Sequence, residues 1–514
     1  MKYSVISSAE FTYPDVWDYP SASETIDVFS ARGGYASFQL LLADCASVEV
    51  SVSVDGLPAG AVPEIYTLVP VQVERNHNIS PEQYAPHYPE RAAPYWLYDC
   101  LRPYDGTVTL TDGVGGLYIS VKVDRDAKPG DYAASVTVDG NVIPMQLKIY
   151  KAVLPGETMK MIVGYNAGTC AKYHGVELYS DEYFALEEKY LAMLRRMHQN
   201  MMYTGGILKK KVGENKWEFD FAPFIEQVKR YEKAGMRYFN APSVGWRRSW
   251  SESTILINGE IPAMSYEGYC YLTQYLPALR EVLIEHGWLD RFVMGIADEP
   301  NGANCTEFRA LCGLVRKIFP EIRLIDAMSY GNLHGALDIW VPLNAEYDRH
   351  MAELETLRAA GDEIWHYVCC GPREPGYINR FMDYPLLSTR YLHWGNYKYN
   401  LTGFLHWASN CYQPGQDPFT QNCPEHHNAD SVCYLPAGDT HVIYPGQGEP
   451  WMSIRLEAER ESAEEYELLC ELAKCDKAKA DEICGMVFRS FRDVEYDVAK
   501  FTEAKRMLLD ALSV

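Results

Sequence analysis

Hydrophobic and polar residues alternate in short stretches over the first 155 residues of the chain. β-Branched stretches separated by Gly, Pro and Asp are typical of strands and turns. Five of them are 34–43, 48–56, 67–76, 116–124 and 131–140. Because several short strands at this spacing favour two packed sheets, the pattern predicts a β-sandwich over residues 1–155.

After Pro155 the pattern changes to apolar stretches that alternate with amphipathic helices, the clearest over 182–200, 267–287 and 306–319. The eight strand candidates are 160–166, 201–206, 237–244, 291–300, 323–330, 338–344, 363–370 and 403–410. Strand then helix, repeated over roughly 250 residues, predicts a (β/α)8 TIM barrel over 156–450. A doubly wound open sheet is the alternative, but the first strand ends in GYNAG, without the G-x-G-x-x-G turn.

Two segments follow the last predicted strand. Residues 411–450 form a long Pro- and Gly-rich segment that begins at the predicted catalytic face, where long loops are usually functional. Residues 451–514 carry charged helical patterns, among them RLEAERESAEEYELLCELA. They predict a C-terminal helical extension packed on the barrel, with its Glu-rich face in solvent.

The composition and charge of the chain exclude some classes of function. A net charge of −23 over 514 residues argues against a nucleic-acid partner, because nothing would neutralise phosphates. No stretch of eighteen apolar residues exists, which excludes a membrane-spanning helix. The N-terminal residues lack the pattern of a signal peptide, and the 14 scattered Cys favour free thiols, so a cytoplasmic location is expected. Homo-oligomerisation stays open.

The clearest chemistry is the carboxylate pair Asp298 and Glu299, which directly follows the apolar stretch FVMGIA and precedes Pro300. Two charges after a buried strand are costly unless they are paired or lie in a cleft. A helix cap or a structural salt bridge is the alternative. Because barrel enzymes place catalytic residues at the carboxyl ends of strands, the pair is predicted to be catalytic.

Adjacency restricts the mechanism. Two-carboxylate glycosidases hold their groups about 5–5.5 Å or about 6.5–9.5 Å apart around the scissile bond, which neighbours on one strand would have difficulty doing. A substrate-assisted reaction fits better: the 2-acetamido oxygen of the sugar attacks its own anomeric carbon. Glu299 would protonate the leaving oxygen, and Asp298 would hold the amide nitrogen.

Two alternatives remain. A glycosidase of the same barrel type acting on a sugar without an acetamido group would need a second carboxylate, for which Glu346, Asp348 and Asp326 are candidates. A carbohydrate-binding protein without activity is the other, although a dead site tends to lose its costly charges.

Polar and aromatic residues at the other strand ends are predicted to bind the glycan substrate. They are Asn166, Trp246, Asn344, Trp365, His366, Tyr367, Trp407 and Asn410. Cys411, Cys423, Cys433, His426 and His427 could ligate zinc but show no C-x-x-C spacing, so no metal is predicted. No cofactor is expected either, because the two carboxylates and the amide of the substrate complete the mechanism.

The chain resembles glycoside hydrolase family 123, known for β-N-acetylgalactosaminidases. The segments that carry the resemblance are PYWLYDCLRP (94–103), GLYISVKVDRDAKPGDYAASVTV (116–138), ADEP (297–300), EIWHYVCCGP (363–372), STRYLHWGNYKYNLTGFLHWASN (388–410) and VIYPG with SIRLEAER (442–460). The resemblance implies retaining, substrate-assisted release of terminal β-N-acetylgalactosamine, with Glu299 as acid/base, Asp298 stabilising the acetamido group and Tyr367 at the site. The segment RLEAERESAEEYELL departs from the pattern of the family, with Ser462 where Gly is expected.

Overall fold

The structure is a computed structural model that describes residues 1–45, 48–76, 89–328, 331–374, 376–427 and 432–513. The N-terminal region is rich in sheet, as predicted. Its strands are β1 (Lys2–Ser7), β2 (Ile26–Arg32), β3 (Tyr35–Ala43), β4 (Val52–Asp55), β5 (Ala61–Val73), β6 (Tyr95–Pro103), β7 (Val114–Val123), β8 (Gly130–Val138) and β9 (Asn141–Val153). One sheet contains the order β1-β3-β7-β5-β6, and the other has the order β2-β9-β8-β4.

The two N-terminal sheets share one apolar core. Leu40 on β3 and Ile119 on β7 come from the first sheet, and Val136 on β8 and Leu147 on β9 come from the second. All four are fully or almost fully buried. Alternation along each strand places these side chains on the inner face, which is why period-two patterning predicted the region.

The middle of the chain alternates strands and helices. The strands that follow one another in parallel are β10 (Lys160–Val163), β11 (Met201–Tyr203), β14 (Tyr238–Ala241), β17 (Phe292–Met294), β18 (Arg323–Met328), β19 (Ile339–Pro342), β20 (Glu363–Ile364), β21 (His366–Tyr367) and β22 (Gly403–His406). Two hairpins lie between them: β12 (Leu208–Gly213) with β13 (Lys216–Asp220), and β15 (Leu256–Ile257) with β16 (Ile261–Pro262). The helices are α1 (Ala167–His174), α2 (Asp181–Arg196), α3 (Ala222–Lys233), α4 (Tyr266–Glu285), α5 (Cys305–Ile318), α6 (Asn344–Ala359), α7 (Leu386–Arg390) and α8 (Leu392–Tyr399).

These parallel strands form two ladders. One has the order β11-β14-β17-β18-β19-β20, and the other has the order β10-β22-β21. The first strand, β10, therefore pairs in parallel with the last, β22. Between β10 and β11, the Asn200 amide donates to the Met161 carbonyl over 3.3 Å. Each of the eight predicted stretches contains a strand, and residues 329 and 330 of the fifth stretch lie outside the described residues.

The C-terminal part returns to the N-terminal sheet. Its elements are β23 (Glu425–His427), β24 (Val432–Tyr434), β25 (Ile443–Tyr444), β26 (Trp451–Ser453), α9 (Ile454–Val487), β27 (Phe488–Ser490), β28 (Asp493–Val494) and α10 (Val498–Ala511). Strand β26 pairs antiparallel with both β25 and β6, which extends the first N-terminal sheet to seven strands. The predicted domain boundaries at residues 155 and 450 stay predictions.

The prediction of a solvated Glu-rich face on the C-terminal extension is wrong. Every Glu between 457 and 467 on α9 is buried. Arg390 on α7 bonds the carboxylates of Glu461 and Glu465, and Arg196 on α2 bonds Glu457. Removing a charge from water costs several kcal/mol unless a counter-charge meets it. Arg460 on α9 itself supplies one cation. Further cations come from α2, α7 and α10, far away in sequence, which is why the helix alone looked like surface.

Among the described residues, no helix combines the length and apolar character needed to span a bilayer. A cavity of about 680 Å³ lies between the N-terminal sheets and α10. It is lined by residues such as Phe38, Arg390 and Lys505 and by none of the predicted site residues. We therefore locate the functional site from its chemistry.

Candidate active site

The carboxylates Asp298 and Glu299 follow β17, and the backbone that leads to them is fixed from both neighbouring strands. The Asn240 side chain on β14 accepts from the Gly295 amide over 3.1 Å. On β18, Oδ2 of Asp326 accepts from the amides of Ile296 and Ala297, at 2.8 and 3.1 Å. A buried carboxylate that binds two amides orients this backbone, so Asp326 is a positioning group at the carboxyl end of β17.

Both carboxylate residues have left-handed backbone conformations, with φ of 35° for Asp298 and 41° for Glu299. Such conformations cost residues other than glycine about 1–3 kcal/mol and persist where the surroundings impose them. Here Arg247, in the loop after β14, donates to the carbonyls of both residues, at 3.2 Å for Glu299. Backbone strain held in place by neighbouring groups is typical of a functional site, and the sequence prediction did not name the half-buried Arg247.

Tyr367, at the end of β21, is in direct contact with the carboxylate pair. Its hydroxyl donates to Oε1 of Glu299 over 2.7 Å, and its ring is 2% exposed. Burial, together with the charge of Glu299, raises the pKa of the tyrosine well above its ordinary value, so the phenol keeps its proton. The structure therefore brings Tyr367, Asp298 and Glu299 together, as the strand-end argument predicted.

Three acidic groups and one cation share this part of the structure. Desolvation by the surrounding protein atoms and the charge of Glu299 raise the pKa of Asp298 to about 6, against the influence of Arg247. Burial and the charge of Asp298 raise the pKa of Asp326 to about 7. Burial and these same carboxylates also raise the pKa of Tyr203, at the end of β11. At neutral pH, Asp298 is therefore mostly ionised, although it binds a proton more strongly than an ordinary aspartate does.

Trp407, which follows β22, lies half-buried and is held by Asp439. The indole Nε1 donates to both carboxylate oxygens of Asp439, at 3.1 and 3.2 Å. Burial, followed by the charge of Cys370, raises the pKa of Asp439 to about 8. Asp439 was not predicted: it lies inside the long segment 411–450, where only the position of the loop suggested a role.

The three predicted asparagines make structural hydrogen bonds. Asn166 caps α1 by accepting from the Thr169 amide over 2.9 Å. Asn410 bonds both backbone groups of Asn166, at 2.8 and 3.0 Å, and so joins the ends of β10 and β22. The Asn344 amide donates to the Ile378 carbonyl over 2.9 Å. Asn344 and Asn410 are fully buried, so the prediction that these two bind sugar does not fit their positions.

The structure also contradicts two predicted aromatic contacts. Trp365 is fully buried, and its indole donates to Oε1 of Glu363 over 2.9 Å, below Tyr367 in the interior of the parallel strands. His366 points to the opposite side, where Nε2 meets Oδ1 of Asn396 at 2.8 Å. Burial lowers the pKa of His366 to about 4. Neither side chain has a surface left for a sugar.

Trp246 lies at the rim of the site. It precedes Arg247, it is 42% exposed, and its indole donates to the Gly259 carbonyl over 2.9 Å. Of the carboxylates considered as a second catalytic group, Glu346 forms ion pairs with neighbours on α6, Arg349 among them. Within the described ranges, no group of three or more His, Cys, Asp or Glu side chains is arranged to hold a metal ion.

Comparison with known proteins gives the class. Residues 165–472 match the profile described as glycoside hydrolase 123, catalytic domain. The structure is similar to that of a family 123 glycoside hydrolase from Clostridium perfringens, studied for glycolipid glycan hydrolysis, with a TM-score of 0.76 and 16% identity over 99% of this chain and 97% of that chain. A β-galactosidase from Rahnella (TM-score 0.36, 12% identity, 60% and 56% covered) and a Thermobacillus composti xylanase (0.33, 8%, 59% and 97%) are too dissimilar to bear on the fold.

No curated protein sequence matches the chain significantly. The family profile covers more than half of the chain, and the matched residues include the carboxylate pair. The profile match identifies the chain as a glycoside hydrolase. The chain belongs to glycoside hydrolase family 123, and the resemblance found in the sequence is confirmed.

Proposed function

We propose that this glycoside hydrolase releases terminal β-N-acetylgalactosamine with retention of configuration, by substrate-assisted catalysis. The observation that carries the proposal is the contact of Tyr367 with Glu299 beside the adjacent Asp298, which is exposed. One carboxylate is thus held by a phenol, and the next is exposed at the end of the strand. That is the arrangement needed when the acetamido group of the sugar, rather than a second carboxylate, attacks the anomeric carbon.

The roles follow from position. Glu299 protonates the glycosidic oxygen as the bond breaks and afterwards takes a proton from the incoming water. Asp298, ionised at neutral pH, accepts a hydrogen bond from the acetamido N–H and stabilises the positive charge of the oxazolinium intermediate. Tyr367 fixes Glu299, and Arg247 holds the strained backbone of both residues.

The other carboxylates are poorly placed as nucleophiles. Glu346 is occupied by ion pairs on α6. Asp348 lies on the same helix near Tyr377 and Arg492. Asp326 is close to the pair, but one of its oxygens accepts two backbone amides. A nucleophile needs a free oxygen aimed at the anomeric carbon, so the substrate-assisted mechanism is favoured over hydrolysis of a sugar without an acetamido group.

The fold supports the same proposal. We infer that the two parallel ladders make one (β/α)8 barrel, because β10 pairs with β22 and a backbone hydrogen bond links β10 to β11. The two N-terminal sheets with their shared core are then a β-sandwich beside the barrel. Asp298 and Glu299 lie at the carboxyl end of the fourth strand, where barrel enzymes place their chemistry.

Trp407 and Trp246 are the aromatic residues that we propose to contact sugar. Trp407 is fixed through its indole nitrogen by Asp439, and Trp246 is exposed beside Arg247. A ring face offers the apolar surface that matches the C–H face of a pyranose. The glycolipid glycans studied with the Clostridium perfringens enzyme are a substrate class to test with this chain.

The test compares hydrolysis of an aryl β-N-acetylgalactosaminide, the corresponding glucosaminide and the β-galactoside. We expect release from the galactosaminide, with the β-anomer appearing first in NMR spectra. Glu299→Gln should lower the rate by about 10²–10⁴-fold, the usual contribution of a general acid. Glu346→Gln is the matched control and should retain wild-type activity. Cleavage of the plain β-galactoside, or a loss of activity in Glu346→Gln as large as in Glu299→Gln, contradicts the proposal.

A further inference from the structure

Two adjacent cysteines follow the strand that carries Tyr367, and the proposed reaction uses neither. Cys369 and Cys370 are both half-buried, and their thiols are hydrogen-bonded to each other. The Asn379 side chain donates to the carbonyls of Cys369 and Gly371, at 3.1 and 3.0 Å, which holds the loop in place. The pair is therefore a fixed feature of the structure.

Cys370 has the properties of a reactive thiol, and Cys369 those of the second thiol that resolves it. The guanidinium of Arg373 contacts the thiols of Cys370 and Cys433, and its Nε donates to the Cys370 carbonyl over 2.9 Å. The hydrogen bond from Cys369 and the charge of Arg373 lower the pKa of Cys370 to about 6, against burial. The hydrogen bond, burial and nearby carboxylates raise the pKa of Cys369. Thiolate character beside a second thiol is what makes a cysteine oxidisable.

The two thiols are close enough to Glu299 and to Asp439, the partner of Trp407, for their charges to interact. The charge of Glu299 acts on both Cys369 and Cys370. On the other side, the charge of Cys370 acts on Asp439, which binds the indole of Trp407. A chemical change at this pair is therefore a change within the site.

A disulfide between adjacent residues is strained. The Cys369–Cys370 peptide is trans, since the two cis peptides of the described chain are elsewhere. It separates the Cα atoms by about 3.8 Å, whereas ordinary disulfides span about 4.4–6.8 Å. Strained disulfides are easily reduced. Oxidation of this pair would therefore be reversible by thiols.

We propose that Cys370 and Cys369 are an oxidative modification site, at which a peroxide closes a reversible disulfide inside the active-site cleft. The Cys370 thiolate attacks a peroxide oxygen: the S–O bond forms, the O–O bond breaks, and the departing hydroxide takes a proton to become water. The thiol of Cys369 then attacks the sulfenic sulfur of Cys370: the S–S bond forms, the S–O bond breaks, and the departing hydroxide takes the proton of Cys369 to leave as a second water. Sulfur loses two electrons overall, and the peroxide gains them.

The disulfide should suppress the proposed glycosidase activity, and this consequence rests on the proposed function. Cys369 lies two residues after Tyr367, so ring closure twists the backbone that positions the phenol against Glu299. Displacement of a catalytic group by about 1 Å can cost 10²-fold in rate. We expect oxidation to lower kcat by about tenfold or more and dithiothreitol to restore it.

The experiment treats the full chain with a small molar excess of hydrogen peroxide and analyses the peptides by mass spectrometry. The peptide with Cys369 and Cys370 should lose two hydrogens. In Cys369→Ser, a sulfenic acid at Cys370 should persist and react with dimedone. In Cys370→Ser, the peptide should stay unmodified. The controls Cys433→Ser and Cys475→Ser, the latter at an exposed cysteine of α9, should leave the pattern unchanged.

Two outcomes overturn the inference: both thiols remain free while Cys475 is oxidised, or the disulfide disappears in Cys433→Ser. The mass change needs no substrate, so it decides the modification even if the proposed glycosidase activity fails. Thermal unfolding monitored by circular dichroism checks that each serine variant is folded. Activities of oxidised variants are divided by the activity of the same variant before oxidation.

Discussion

Replacement of Tyr367 by phenylalanine tests the arrangement at the centre of the site. The substitution keeps the buried ring and removes only the hydroxyl, which donates to Oε1 of Glu299 over 2.7 Å. The carboxylate then keeps its charge but loses the group that fixes its orientation. Since Phe fills the same space, we expect the free energy of unfolding to fall by no more than about 1.5–3 kcal/mol, the contribution of one hydrogen bond to a charged group.

The expected loss of activity follows from that single hydrogen bond. Hydrogen bonds to charged groups contribute about 1.5–3 kcal/mol, and about 1.36 kcal/mol corresponds to a tenfold change in rate. If Tyr367 holds Glu299 in its working position, Tyr367→Phe should lower kcat/KM by about 10- to 150-fold. Most of this loss should be in kcat, because the phenol positions the acid rather than binding the sugar.

The assay is the initial rate of aryl β-N-acetylgalactosaminide hydrolysis, with urea unfolding measured on the same preparations. Tyr238→Phe is the matched control: this half-buried tyrosine on β14 lies at the opposite end of the parallel strands, beneath the ammonium of Lys160. It should leave kcat/KM unchanged. A loss of less than about threefold in Tyr367→Phe, well below one charged hydrogen bond, or an equal loss in Tyr238→Phe, refutes the reasoning.

Three further predictions concern stability, packing and pH. Arg390→Met removes one cation from two buried carboxylates of α9, which keep Lys505 as a partner, and should reduce the free energy of unfolding by up to about 3–5 kcal/mol in urea titrations; a change below about 1 kcal/mol would show that these ion pairs contribute no more than solvent-exposed ones do. Gly164→Ala brings a Cβ to 2.0 Å from the carbonyl oxygen of Trp407 and should destabilise by about 1–3 kcal/mol, unlike Gly302→Ala, which meets open space. Because the pKa of Asp298 is raised to about 6, kcat/KM should fall as pH decreases through that value and Asp298 is protonated; an acid limb near the ordinary value of about 3.9 contradicts this role.

The strand and helix positions could be predicted because each depends on local patterning. The stretches 160–166 and 403–410 are apolar and short, and both contain a strand. Helix α5 was predicted at 306–319 and begins and ends at Cys305 and Ile318. The strands end earlier than predicted, since their last residues leave the ladder to form the edge where the site lies. That boundary depends on neighbouring strands and not on local sequence.

The site was predictable where a residue type conflicted with its surroundings. Asp298 and Glu299 stood out as charges at the end of an apolar stretch, and Tyr367 as an aromatic residue at a strand end. The assignment of His366 was an avoidable error, because alternation along a strand places it opposite Tyr367. Arg247 carried no local signal: its role depends on the two carbonyls that the fold brings to it.

The amino-acid sequence by itself determined the order of elements and the position of the carboxylate pair, because hydrophobic periodicity and the cost of an unpaired charge are local properties. Tertiary structure alone decided which charges are buried. The glutamates of α9 have the pattern of a solvated helix, yet Arg196 and Arg390 arrive from distant elements and neutralise them. Likewise, only the tertiary structure shows that the long loop places Asp439 beside Trp407. Partners separated by tens or hundreds of residues leave no trace in local patterning, since their interaction energy exists only in the folded chain.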